Sequence, residues 1–246
     1  MIFVIVLTIT AVWIKSMDSH RISGRILAEN IAGPGMLRLV EQSMQARTRK
    51  ASVAEIAVKE RKYPQAALTF DDGPDSRYTP LLLDGLKERN VRVSFFLLGE
   101  KVEQYPELVE RMQKEGHLVG NHTYHHVQLN KLNETKAREE ILKTNNLIYE
   151  TTGVYPLYLR PPFGAWKKNL ELCVEMLPVF WTIDTLDWKV QNTEKIVRTV
   201  QEQIEDGAII LMHDEYDTSV EAALQVVDEL KNQGYELVTV DQLILP

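Results

Sequence analysis

Short apolar runs alternate with amphipathic stretches from Pro64 to the C-terminus, and this alternation constrains the fold more tightly than any other feature of the chain. Strands are expected at Ala66–Phe70, Val93–Leu98, His117–Gly120, Leu157–Leu159, Val179–Thr182, Ala208–Met212 and Glu236–Thr239. Between them, helices are expected at Thr79–Glu88, Pro106–Glu115, Asn133–Thr152, Asn169–Met176, Thr193–Glu205 and Ser219–Asn232, with Gly116, Gly153 and Gly234 as stops. Strands joined through helices run parallel, because a parallel return needs a long crossover. About seven such strands in a single domain over 64–246 imply an α/β fold, a distorted or incomplete (β/α) barrel. An open doubly wound sheet is the alternative, although the turn after Phe70 reads D-D-G-P and lacks the G-x-G-x-x-G of a dinucleotide site.

The residues before this unit read differently. Ile2–Ile14 carries no charge, but it is shorter than the roughly 20 apolar residues that span a bilayer and nearer a signal-peptide apolar region. Residues 1–16 are therefore expected to be an export signal or an uncleaved anchor. Residues 17–63, broken at Gly33-Pro34-Gly35 and with short helices at 37–44 and 53–58, are expected to be a linker or stalk. Lys15, Arg21 and Arg25 all follow the apolar run, which on the positive-inside rule alone holds the rest of the chain in the cytoplasm. A buried N-terminal strand or helix is the other reading. Cys173 is the only cysteine, so an intrachain disulfide is excluded and any metal must be held by His, Asp or Glu. With 28 Lys plus Arg against 35 Asp plus Glu, a formal charge of -7, nothing argues for a nucleic-acid partner.

Unusual polar residues fall just after the expected strands. Asp71 and Asp72 follow the first in T-F-D-D-G-P, and His122 and His126 follow the third in N-H-T-Y-H-H. Arg160 ends the fourth in R-P-P-F-G, Asp187 and Trp188 follow the fifth in D-T-L-D-W, and His213 follows the sixth in L-M-H. In a parallel barrel the C-terminal strand ends share one face, where catalytic loops sit. Loops distant in sequence thus bring carboxylates, imidazoles and a guanidinium to one mouth.

His122 and His126 are four apart, so on a helical turn their rings share a face and can grip one ion, with Asp72 adding an oxygen and positions left for water and substrate. The bland alternative has Asp72 capping the turn before Gly73-Pro74 and the histidines lying on the surface. His117 reads as a strand residue with a satisfied ring and His125 as a rim residue. Adjacent Asp71 and Asp72 take different tasks: one bound to the cation, the other taking a proton from cation-bound water. His213 suits a proton donor to a departing amine, with Asp187 holding its ring and Arg160 pinning Asp71 as the carboxylate. A structural ion pair at the barrel rim is the alternative for Arg160 and for Asp187. A two-histidine, one-carboxylate triad also serves iron oxygenases, but a poised acid and base fit hydrolysis better. A carbohydrate-binding module that kept the pocket without catalysis is a further alternative.

T-F-D-D-G-P at Thr69–Pro74, H-T-Y-H-H at His122–His126, R-P-P-F-G at Arg160–Gly164, D-W at Asp187-Trp188 and L-M-H at Leu211–His213 closely resemble, in order, the five motifs of the polysaccharide deacetylases. These are the enzymes of the NodB homology domain, carbohydrate esterase family 4, and the resemblance covers about Pro64 to Leu245. It implies a distorted (β/α) barrel and metal-dependent removal of N- or O-acetyl groups from sugar polymers. Carried over, it makes Asp71 the base, His213 the acid, and Asp72, His122 and His126 the ligands of one divalent ion, zinc first, with cobalt or another ion as alternatives. Arg160 then orients the base and Asp187 tunes the acid. Trp188 and Leu211 wall a slot for the acetyl methyl, and the backbone N–H of Phe163 helps hold the oxyanion. Phe163 stands where related enzymes often have Tyr. The expected partner is an acetylated polysaccharide, with peptidoglycan N-acetylglucosamine ranked first, acted on outside the cytoplasm by a monomeric, membrane-anchored or wall-secreted enzyme.

Overall fold

The structure is a computed structural model and describes residues 63–166 and 176–244. The expected N-terminal segment, the linker with its two short helices, and all but the end of the 169–176 helix lie outside the described residues. Among the described residues, no helix is long and apolar enough to cross a membrane.

The elements run β1 (Gln65–Asp71), α1 (Tyr78–Glu88), β2 (Ser94–Leu97), α2 (Gly99–Gln104), α3 (Pro106–Lys114), β3 (Leu118–Asn121), α4 (Glu134–Thr152), β4 (Tyr158–Leu159), β5 (Leu177–Pro178), β6 (Ile183–Asp184), α5 (Asp187–Val190), α6 (Thr193–Gln203), β7 (Ala208–His213), α7 (Asp217–Asn232), β8 (Glu236–Leu237) and α8 (Val240–Ile244). Every strand pairing is parallel, in the order β5-β4-β3-β2-β1-β7-β6, with β8 joined to β1. The sheet curls, but among the described residues its end strands β5 and β6 do not pair, so the expected incomplete (β/α) barrel is a half-barrel.

β1 is central and buried on both faces. Side chains alternate along a strand, so Ala66, Leu68 and Phe70 point one way and Ala67, Thr69 and Asp71 the other. The first set joins the core under the outer helices, with Leu82, Leu83 and Leu86 of α1 and Val226, Val227 and Leu230 of α7. Truncating such a leucine to alanine costs about 2–5 kcal/mol. The second set faces the barrel interior, where Ala67 packs with Phe96, Tyr158, Val179 and Val240. Above that apolar floor the interior turns polar, at Thr69 and Asp71.

Helix ends follow the sequence signals. Asn133 caps α4 by accepting the Lys136 N–H at 2.9 Å, and Gly153 closes it with φ 71. Pro106 opens α3, where a missing N–H costs nothing.

Two expectations need correction. The run Val179–Thr182 is not one strand but the bridge between β5 and β6. The Val179 N–H donates to Leu159 O at 2.8 Å, whereas the Thr182 N–H donates to Ile209 O at 2.9 Å, so the segment changes sheet edge partway along. The stretch His122–His126 is not a helical turn either: it is a loop in which Thr123 (φ 67) and His126 (φ 54) are both left-handed. The two histidines still meet, through a backbone reversal rather than helical period.

Candidate active site

The register of the central strands sets the site. Asp71 pairs with His213 across β1 and β7, and neighbours in parallel register project to the same face. Asp71 is buried, and its Oδ1 accepts a hydrogen bond from Arg160 Nη1 at 2.8 Å. The same Nη1 reaches Thr69 Oγ1 at 2.7 Å, and the guanidinium stacks over the Phe96 ring at 4.3 Å. Burial pushes the Asp71 carboxyl above the ordinary carboxylate range, against the pull of Arg160 and His213. A more basic carboxylate is a better proton acceptor.

Asp72, next in the chain, adopts φ 69, which turns its side chain away from Asp71 and towards the histidine loop. Its Oδ1 lies 3.4 Å from His122 Nε2 and 3.4 Å from His126 Nε2. His122 Nδ1 is 2.6 Å from the Arg160 carbonyl, which only accepts, so the ring proton sits on Nδ1 and the Nε2 lone pair faces Asp72. Burial lowers the His122 pKa to about 3, which keeps the ring neutral and able to ligate. Asp72 Oδ1 is itself buried and has no hydrogen-bond partner. A carboxylate oxygen and imidazole lone pairs facing one another repel unless a cation lies between them. The Asp72, His122 and His126 ligand atoms all lie within 4.8 Å of one another. Bond lengths of about 2.0–2.1 Å in a tetrahedral zinc site separate ligand atoms by roughly 3.4 Å, so the donor set fits a divalent ion.

Opposite this cluster stands His213, with Nε2 3.8 Å from Asp72 Oδ2. Asp187, buried at the start of α5, accepts from the His213 backbone N–H and contacts Nδ1, each at 2.8 Å. Burial pulls the imidazole pKa down, but Asp187, aided by Asp71 and Asp72, outweighs it and holds His213 at about 9. The ring is protonated at neutral pH, with its free nitrogen aimed into the pocket.

A cavity of about 490 Å³ joins these groups. Asp71, Asp72, His122, His126, Phe163, Trp188, Leu211 and His213 line it, whereas Arg160 and Asp187 are buried behind the wall, in contact with Asp71 and His213 respectively. Phe163 (φ 59) lays its exposed ring 4.5 Å from the His126 ring, centroid to centroid. Trp181, Asp184, Leu186, Glu215 and Tyr216 also line the cavity and were not singled out from the sequence, although Asp184 begins D-T-L-D-W and Glu215 lies two residues past His213. Glu140 of α4 was missed too. Its Oε2 accepts from the Tyr124 and His125 N–H groups at 3.0 and 2.9 Å, and its Oε1 meets His125 Nδ1 at 2.8 Å, so it clamps the loop between the two histidines facing Asp72. His117 has the satisfied ring expected, its Nδ1 accepting from the Val93 N–H at 3.1 Å, but it stands one residue before β3 instead of within the strand.

A half-barrel with convergent polar groups on its C-terminal strand ends defines a class of (β/α) proteins whose chemistry is carried by the loops. Comparison with known proteins narrows that class. The family model described as polysaccharide deacetylase matches residues 59–180. The peptidoglycan-N-acetylglucosamine deacetylase of Listeria monocytogenes is 42% identical over 185 residues, covering 75% of this chain and 40% of that protein. The peptidoglycan-N-acetylmuramic acid deacetylase PdaC of Bacillus subtilis is 43% identical over 177 residues, covering 72% of this chain and 38% of that protein. The solved structure of peptidoglycan deacetylase PdaC superimposes with a TM-score of 0.72 at 42% identity, covering 74% of this chain and 91% of the solved one. The chain belongs to the polysaccharide deacetylase family. It spans about two fifths of the length of these curated relatives.

Proposed function

We propose that the domain over 64–246 removes N-acetyl groups from an aminosugar polymer, N-acetylglucosamine of peptidoglycan first, by metal-dependent hydrolysis. The observation that carries this reading is the convergence of the Asp72, His122 and His126 lone pairs between the buried carboxylate Asp71 and the protonated imidazole His213. A divalent ion such as zinc, which Asp72, His122 and His126 would hold, would supply a water of lowered pKa and polarise the acetyl carbonyl. Asp71 accepts a proton from the attacking water as the water's oxygen bonds to the carbonyl carbon. The backbone N–H of Phe163 helps hold the developing oxyanion. His213 gives its Nε2 proton to the sugar nitrogen as the carbon–nitrogen bond breaks, and acetate and a free amine leave. Arg160 holds Asp71 in place, and Trp188 and Leu211 enclose the acetyl methyl.

Relatives named for both N-acetylglucosamine and N-acetylmuramic acid support peptidoglycan as the substrate class. Asp184 on the cavity lining disfavours an acidic substituent such as a free lactyl group, which favours N-acetylglucosamine, whereas Glu215 is ion-paired with Lys101. An enzyme of this kind works outside the cytoplasm, and residues 1–16 and 17–63 would serve as its anchor or signal and its stalk. Mass spectrometry of acetate loss from defined glycans (N-acetylglucosamine oligomers, peptidoglycan with and without stem peptides, acetylated xylan), with and without chelator, tests it. Chelator-sensitive loss from the N-acetylglucosamine substrates is expected. No release from any of these by zinc- or cobalt-loaded protein overturns the reading.

A further inference from the structure

Asp214 follows His213 directly and is fully buried, yet the chemistry above does not use it. Its Oδ2 accepts a hydrogen bond from the Thr79 hydroxyl at the start of α1. Thr79 Oγ1 in turn accepts the Asp75 N–H at 2.7 Å. The other carboxylate oxygen, Oδ1, is buried without a hydrogen-bond partner. It lies against Gly73: a Cβ built on Gly73 would stand 2.5 Å from Asp214 Oδ1 and 2.9 Å from Oδ2. Gly73 also has its carbonyl held, by the Leu98 N–H at 3.2 Å. The turn that throws Asp72 into its left-handed conformation is thus pinned on one side by the end of β2 and seated on the other against the Asp214 carboxylate.

We propose that Asp214 is a positioning residue that seats the Asp72-Gly73 turn and so aims Asp72 at the metal, with Gly73 required because the carboxylate fills the space of a side chain. The inference rests on the metal-site reading above. Because Asp214 is covalently next to His213, the end of β7 sets the proton donor and the metal-ligating carboxylate from one place.

The test uses the full chain and measures the zinc dissociation constant by chelator competition, beside thermal unfolding of the metal-free protein. Asp214→Ala is expected to weaken zinc about ten- to a hundredfold, the range for residues that support metal ligands. Gly73→Ala is expected to weaken zinc in the parent chain and to lose most of that effect in the Asp214→Ala background, where the added methyl has room. That non-additivity is the signature of direct contact. If Asp214→Ala does not fold, Thr79→Val removes the hydroxyl donor at constant shape and is expected to weaken zinc in the same direction. Parent-like zinc affinity in folded Asp214→Ala, or in Thr79→Val where that variant stands in for it, overturns the proposal. So does a Gly73→Ala effect that is equal in both backgrounds. A parent chain that fails to bind zinc, cobalt or another divalent ion overturns the metal-site reading instead.

Discussion

Asp187 grips His213 at two points, one oxygen on the ring Nδ1 and the other on the backbone N–H, both at 2.8 Å. The contact fixes the ring's direction as well as its charge. With the imidazole held at about 9, kcat/KM is expected to stay high through neutrality and fall as pH rises through about 9, where the donor loses its proton. The folded state binds this proton more tightly than the unfolded chain. The pair's contribution to stability is therefore complete below the ordinary value of 6.5 and is lost as pH climbs through about 9. Asp187→Asn leaves burial opposed only by the weaker pull of Asp71 and Asp72, and its alkaline limb moves down. pH–rate profiles of both proteins on N-acetylglucosamine oligomers decide it, and coincident alkaline limbs refute the assignment.

Asp71→Asn keeps an oxygen for Arg160 but cannot take a proton, and His213→Ala removes the donor while leaving the Asp72 cluster intact. Each variant is expected to fold and to bind zinc like the parent while losing roughly 10²–10⁴ in kcat. Single-turnover acetate release with metal analysis checks both, and parent-like turnover in either removes it from the chemistry.

Among the described residues Arg160 is the largest fully buried side chain, and it carries the cation that Asp71 faces. Arg160→Leu leaves a buried carboxylate unpaired, at a cost of about 3–5 kcal/mol in urea unfolding. The Asp71 carboxyl, already raised by burial, rises further, so the acidic limb of the activity profile moves up. A variant that loses stability with its acidic limb in place would mark Arg160 as a purely structural cation.

Glu140 touches neither the cavity nor the ligand atoms, yet three hydrogen bonds tie it to the loop between His122 and His126. Glu140→Ala is expected to weaken zinc about tenfold or more, and Glu140→Gln, which keeps one acceptor, by less. Isothermal titration with zinc measures both, and equal affinity in all three proteins contradicts the clamp.

The half-barrel was legible because apolar strands and glycine-stopped helices alternate over most of the described chain, and the polar residues after those strands reveal which end faces the site. The candidate catalytic and metal-ligating residues stood out for the same reason: Asp71, His122 and His213 are costly to place at strand ends without a task. What escaped was non-local or very short. β5 and β6 have two residues each, too few for a period-two pattern, and the apolar run between them gave a stronger signal than either. The left-handed residues Thr123 and His126 flank the two residues that Glu140 holds, and Asn121 Oδ1 accepts the Thr123 N–H, contacts that no local pattern announces. Glu140 and Asp214 read locally as helix-face and loop acids, and only the fold brings them to the histidine loop and to Gly73.

Arg160 reaches the site with both its side chain and its backbone, the guanidinium on Asp71 and the carbonyl on His122. The proposed proton acceptor and the proposed cation ligand are therefore both tied to a single residue. On the proposed roles, a substitution that displaces Arg160 disturbs the partner of Asp71 and the partner of His122 at once.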